Sequence, residues 1–310
     1  MSLIKKPSEL NVQAKIKMLI YGQAGTGKST LSLSAPRPLL FDFDNGINRV
    51  NFEHIKSTVQ IENYTDMLEV INKEDLSDFD TLIIDTGGKC LDSMANYIIS
   101  RNSKMGKSNG TLTLQGYGER KAEFTALCKL IASKNKHVIF VAHRETKQDG
   151  DDTRYIPLFG GSNYDSLVTE LDLVGYMEAN GRKRIITFDP TSRNDGKNTC
   201  NLPSTMEIPT IVNEKGIVTG QNNFIEEHVI KPYIARLADR IKLTEMYNNV
   251  VSEIKDQIEL ITDSAGANDF VSRIDSFEHV GSSKSMAAQL LADKTKKIGL
   301  KFNKETKLYE

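Results

Sequence analysis

Residues 17–30, KMLIYGQAGTGKST, constrain this chain more than any other stretch. A short apolar run at 18–21 predicts a buried strand, and a glycine-rich octet follows it without a spacer. Gly22 and Gly27, then Lys28 and Ser29, fit the spacing of a phosphate-binding loop. Gly22, Gly25 and Gly27 free the backbone from Cβ obstruction. The N–H groups around Gln23, Ala24 and Thr26 can then point into one concavity. A helix starting near Lys28 adds its positive N-terminal end to that nest. In such a loop Lys28 reaches the β- and γ-phosphates, Ser29 holds Mg²⁺ through its hydroxyl, and Thr30 reaches the α-phosphate. The expected ligands are therefore a nucleoside triphosphate and Mg²⁺. A chance glycine-rich turn would lack the strand before it and the helix start after it.

The rest of the first two-thirds alternates strands with helices. The segment LLFDFD (39–44) predicts a second strand ending in acids, with Asn45 and Gly46 as its turn. Residues 65–73 have helical apolar spacing, and TLIID (81–85) predicts a third strand, β-branched, continuously apolar and closed by Asp85. Helices are expected over 89–101 and 119–134, then a fourth strand HVIFVA (137–142) ending at His143 and Arg144. Residues 145–157 are expected as a charged segment. Further strands are expected near 170–177 and 184–189, and a polar loop with Arg193 and Lys197 over 190–203. Apolar strands separated by helices predict an α/β fold with a mainly parallel sheet.

From about residue 225 the pattern becomes helical, over 224–241, 247–261, 267–275 and 283–298, with a possible small hairpin at 299–310. The expected division is an ATPase core over 1–222 and a mainly helical region over 223–310. A net charge of −1 gives no overall attraction to nucleic acid, so such binding requires local basic patches. Cys90, Cys128 and Cys200 form no CxxC pair, which argues against zinc and a disulfide framework. No apolar run approaches a membrane span, and the opening MSLIKKPSEL carries no long apolar region. The expected setting is cytoplasmic.

In open parallel sheets the ligand sits outside the carboxyl ends of the strands. Asp85 fits an acid that helps hold Mg²⁺ through water opposite Ser29. Asp44 fits the group that orients or activates an attacking water, with Asp42 as the less suited neighbour. His143 fits a sensor of the γ-phosphate. Each acid, taken alone, is equally a residue that begins a turn.

The order GQAGTGKST, FDFDNG, TLIIDT, FVAHRE, PLFGGS and TELDLVGYM resembles the RecA-like P-loop ATPases. More narrowly, it is similar to the phage ATP-binding proteins that act in single-strand annealing and recombination. The resemblance covers roughly residues 12–205. It implies that Asp44 holds the position of the catalytic base, where the family usually has Glu. It also implies that His143 replaces the family's usual Gln sensor.

The resemblance further implies two loops for single-stranded DNA, at 102–118 and 144–161. The first offers Lys104 and Lys107, with Arg120 and Lys121 nearby; the second offers Arg144, Lys147 and Arg154. Tyr117 or Tyr155 could stack on bases. Gly160 and Gly161 could form a hinge or only a turn. Acids at Glu145, Asp149, Asp151 and Asp152 roughly cancel the second loop's charge, so a solvated loop is the plainer reading there. By resemblance Lys197 could reach a neighbouring subunit's γ-phosphate in a homo-oligomer, although it is equally an ordinary surface lysine. Arg182, Lys183 and Arg184 read as a solvated turn.

The expected function is ATP-dependent binding of single-stranded DNA with annealing, in a bacterial host's cytoplasm if phage-encoded. The helical region is a packing module or a surface for a partner such as a single-strand-binding protein. An ATP-gated interaction switch that never touches DNA remains open, as does a small-molecule kinase.

Overall fold

The computed structural model describes residues 14–149, 152–160 and 162–310. Its contacts divide the chain into two compact units. One is Ala14–Tyr233, and the other, among the described residues, is Ile234–Glu310.

The first unit opens with β1 (Lys17–Gly22), the phosphate loop and α1 (Lys28–Ser32). It continues through β2 (Pro38–Asp42), β3 (Thr58–Gln60), α2 (Tyr64–Lys73), β4 (Thr81–Asp85), α3 (Gly87–Arg101) and α4 (Leu114–Ser133). Then come β5 (His137–Asp149), β6 (Asp152–Pro157), α5 (Ser162–Glu170), β7 (Leu173–Asn180), β8 (Lys183–Thr187), β9 (Lys197–Asn198) and β10 (Thr205–Ile208). The sheet order is β10-β8-β7-β1-β5-β4-β2-β3, with β6 beside β5 and β9 beside β7. All pairs from β7 to β3 are parallel, while β8 and β10 add antiparallel edges. This is the α/β class that the alternating pattern implies.

β2 and β4 are buried at every position, which suits parallel strands covered on both faces. Alternation along them feeds two cores. Leu19, Phe41, Ile84 and Phe140 point to the side covered by α2, α3, α4 and α5. Ile20, Leu40, Ile83 and Val141 point to the side that holds Leu31, Ile186 and Val229. On the first side Phe124, Phe140 and Phe159 interlock, with ring centroids 5.5–6.2 Å apart. Full burial of each ring contributes roughly 1.5–3 kcal/mol. The helix starts are also specified locally: Asn63 and Asp66 form a capping box on α2, and Thr113 caps α4 through Gly116 N–H.

Two departures from the sequence reading matter for the site. The charged segment after the fourth strand is an ordered hairpin, because β5 runs on to Asp149 and pairs antiparallel with β6, Lys147 opposite Arg154. Strand pairing tolerates charge on an exposed two-stranded arm, where alternate side chains face water. The second departure is at 224–230. Phe224, Ile225, Val229 and Ile230 are core residues of the first unit, which therefore extends to Tyr233.

α6 (Lys231–Glu259) is one continuous helix where two were expected, preceded by a π-helical turn at Glu226–Ile230. It is followed by α7 (Ser264–Arg273), α8 (Ser283–Lys297) and the small hairpin of β11 (Phe302–Asn303) and β12 (Leu308–Tyr309). The second unit has its own core of Val250, Ile254, Ile258, Phe270 and Leu291. Asn268 ties α7 to the hairpin through both the N–H and the carbonyl of Tyr309. Among the described residues no helix is long and apolar enough to cross a membrane.

Candidate nucleotide site

The phosphate loop runs from the end of β1 into α1, at the carboxyl ends of the parallel strands. Two glycines have specific causes. A Cβ on Gly22 would lie 2.1 Å from the Met177 carbonyl oxygen, so β1 and β7 can pair this closely only with glycine there. Gly27 has φ 95°, in the left-handed region, and turns the chain directly into α1.

Lys28 is 5% exposed, and its Nζ donates to the Gln23 carbonyl at 2.8 Å. Burial pulls its pKa down to about 8, against the opposing pull of Asp85 and then Asp44. A buried ammonium that gives one of its three donors to a loop carbonyl is poised for an anion. The Thr26 hydroxyl also donates to Gln23 O, which closes the loop on itself.

Asp85 ends β4 and is 3% exposed. Burial pushes its pKa up to about 6. The hydrogen bond from Ser29 opposes that shift, the repulsion of Asp44 and Asp42 adds to it, and Lys28 opposes it. Ser29 and Asp85 therefore lie close together. A hydroxyl and a carboxylate on one side of a phosphate cradle form the donor set that a magnesium–nucleotide complex uses, with phosphates and water completing the shell. Among the described residues no cluster of three or more His, Cys, Asp and Glu is placed to hold a metal by itself.

The two acids after β2 have separate tasks. Asp42 is 1% exposed and accepts from the N–H groups of Gly46 (2.9 Å) and Ile47 (3.0 Å), which fixes the turn. Asp44 is only partly covered, has Arg49 at 3.8 Å, and acts electrostatically on Lys28, Asp85 and His143. His143 stands opposite Gly22 in the β1–β5 register. Its pKa is held below the ordinary value by burial and then by Lys28, with Asp44 opposing, so the ring is neutral near pH 7. With Arg120, Lys89 and Leu158 it lines a cavity of about 260 Å³.

The structure thus brings together Lys28, Ser29, Asp44, Asp85 and His143. It does not bring the remaining sequence candidates to that point. Lys104 lies in a short 3₁₀ turn, and both it and Lys107 are exposed. Lys147 is exposed on the hairpin. Arg144 lies over the Tyr155 ring at 4.2 Å and donates to the Tyr176 hydroxyl at 3.0 Å. Arg154 binds Asp195 at 2.7 Å. The Tyr155 ring also stacks on Tyr176 and lies beneath Arg193, whereas Tyr117 is 47% exposed. The Lys197 ammonium donates to the carbonyls of Val168 and Thr169 near the end of α5, where a cation complements the helix dipole. The expected hinge residue Gly161 lies outside the described residues, as do Asp151 and residues 1–13.

Two site residues were missed in the sequence. Arg184, read as part of a solvated turn, donates from Nε to the Thr26 carbonyl at 2.9 Å and so braces the loop. Asn222 donates to the Thr30 carbonyl at 2.7 Å. Strand alternation around 182–184 could have separated Arg184 from Lys183, which instead meets Glu207 at 2.9 Å. Nothing local marks Asn222.

Fold and site together define a P-loop nucleotide-binding protein with a mainly parallel α/β core. A family model described as an AAA domain matches residues 14–200. The chain belongs to that family and is a P-loop ATPase. No curated protein matches the chain.

Proposed function

We propose that this chain hydrolyses Mg²⁺-bound ATP and uses the cycle to bind single-stranded DNA and promote annealing, acting as a homo-oligomer. The observation that carries the hydrolytic part is the placement of Asp44 and His143 around Lys28, each within electrostatic reach of the others. When bound, Mg²⁺ neutralises charge on the transferring phosphoryl group, with Ser29 and Asp85 as its protein side. Lys28 binds the phosphate oxygens, Gly27 and the start of α1 direct N–H groups at them, and Asp44 orients and deprotonates the attacking water. The neutral His143 can donate a hydrogen bond to the phosphate end from one ring nitrogen, and it is continuous in the chain with Arg144 and the hairpin. That continuity gives phosphate loss a route to the β5–β6 arm.

The DNA part rests on Lys104, Lys107, Tyr117 and Lys147, exposed on segments that follow β4 and β5. Arg144 and Arg154 would first have to leave Tyr176 and Asp195. Lys197 would likewise have to leave its two carbonyls to serve a neighbouring subunit. These engagements favour a second reading, in which the chain is an ATP-gated switch for a protein partner and the hairpin moves without touching DNA. Retention on a single-stranded oligonucleotide separates the two. The first reading predicts retention that needs ATP and weakens as salt rises; retention absent at every salt concentration and unaffected by ATP supports the switch.

A further inference from the structure

Hydrolysis leaves a second anion for the protein to handle. Water adds to the γ-phosphorus and the bridging oxygen departs with ADP. One water proton passes through Asp44 to solvent, and the product keeps the other as hydrogen phosphate. His143, at the reacting end, also lines the cavity of about 260 Å³ between β5, α3 and α4. We propose that this cavity is a second oxyanion site, where the cleaved phosphate pauses after it leaves the Lys28 loop, with Arg120 as its main ligand. The inference rests on the Lys28 loop being the hydrolytic site.

One donor in this cavity is unmet. Arg120 reaches it from α4, and its Nε is buried without a hydrogen-bond partner among the described residues. The guanidinium lies over the Tyr117 ring at 5.0 Å, which holds its plane but accepts no strong hydrogen bond. A guanidinium cannot shed its charge, so a buried, unmet donor on it favours an anion. Lys89 adds a second cation at the mouth, 60% exposed, with Asp92 at 3.7 Å as a loose partner. The neutral His143 has one ring nitrogen to donate and one to accept, and hydrogen phosphate offers both oxyanion and hydroxyl. Gly88 brings in the start of α3, whose first-turn N–H groups have no carbonyl partner within the helix.

Glycines shape the walls. A Cβ on Gly87 would lie 1.9 Å from the Phe159 ring, and one on Gly88 3.3 Å from the Leu158 carbonyl oxygen. Residues 158 and 159 therefore seat against the start of α3 because its first two residues are small. The Leu158 N–H donates to the His143 carbonyl at 2.8 Å, so the same segment is tied to β5. The enclosed space takes a tetrahedral oxyanion with several waters. It is also next in line from the reaction, since Thr86 in its wall directly follows Asp85.

Equilibrium dialysis of the full chain against radiolabelled inorganic phosphate, and separately against AMP-PNP with Mg²⁺, tests the site. Lys28→Ala should lose AMP-PNP and keep phosphate. Arg120→Gln should keep AMP-PNP, the folding control, and weaken phosphate binding about tenfold. Phosphate that fails to bind the wild type saturably, or that is lost with Lys28→Ala and kept with Arg120→Gln, overturns the second site. Should Arg120→Gln lose both ligands, Lys89→Gln at the exposed mouth decides: phosphate weakened several-fold with AMP-PNP retained supports the site, and phosphate unchanged overturns it. A Lys28→Ala chain that binds and hydrolyses ATP like the wild type overturns the hydrolytic reading instead. Single-turnover kinetics separate product phosphate from phosphate taken up from solution. Cleavage, read by quenched flow, should precede phosphate release, and Arg120→Gln should close that lag; cleavage and release that coincide in the wild type overturn the pause.

Discussion

The phosphate loop and the β5–β6 hairpin are both rich in charge, yet they use it in opposite ways. In the loop, Lys28 is buried with only a carbonyl for a partner, and Asp85 is buried among other acids with its pKa raised. These charges are held at a cost that a bound magnesium triphosphate would relieve. On the hairpin, Arg144 and Arg154 already have a tyrosine hydroxyl and a carboxylate, and Tyr155 is covered on its faces by rings and guanidinium groups. Basic residues in a sequence mark a surface that can attract anions. Only the structure shows whether that capacity is still free.

The largest expected effect lies in the loop. Lys28→Ala should lower ATP turnover by about a hundredfold to a thousandfold and weaken ATP binding, read by steady-state phosphate release and calorimetry. Turnover within a few-fold of the wild type would break the contrast, because the buried lysine would then be structural. The paired acids sharpen it further. Asp44→Asn should lower kcat by about a hundredfold with little change in KM or melting temperature. Asp42→Ala should instead destabilise the fold by roughly 1–3 kcal/mol, since two buried N–H groups lose their acceptor. Denaturant titration beside kinetics separates the two outcomes.

A comparably large effect on stability comes from a buried group away from both regions. His137 is 3% exposed, and its Nδ1 accepts from the Ile16 N–H at 3.0 Å, which ties the entry of β1 to β5. Burial holds its pKa down to about 4. The unfolded chain therefore takes up a proton near pH 6.5 that the folded chain refuses until about 4. Stability from this residue is full above pH 6.5 and is lost as pH falls through that window, by roughly 3 kcal/mol. His137→Gln should flatten that part of a denaturation-versus-pH curve. The smallest effect belongs to the exposed lysines. Lys104→Ala with Lys107→Ala should weaken single-stranded DNA binding several-fold and reduce the salt slope by about one to two, leaving DNA-free turnover intact.

How much of this was legible in the sequence follows from the range of the interactions. The strand–loop–helix of residues 17–30 is local, and the parallel core strands are continuous apolar runs, so periodicity and spacing find them. Asp85 and His143 stand at the ends of such runs and are found with them. The hairpin was hidden because its strands are charged on both faces. The short edge strand β3 carries too few residues for a pattern. Arg184 and Asn222 reach the loop from 158 and 192 residues away in the chain, a distance that no window can span. The same holds for the task of Asp42: its alternation with Asp44 is visible, but the turn N–H groups that occupy it are not.

The most direct test of the whole account is the rate of ATP hydrolysis by the full chain, with and without a single-stranded oligonucleotide, at low and at physiological salt. The account predicts turnover that depends on Lys28 and rises with the oligonucleotide, the stimulation fading as salt increases. Turnover indifferent to the oligonucleotide at both salt concentrations would contradict the coupling of this site to DNA.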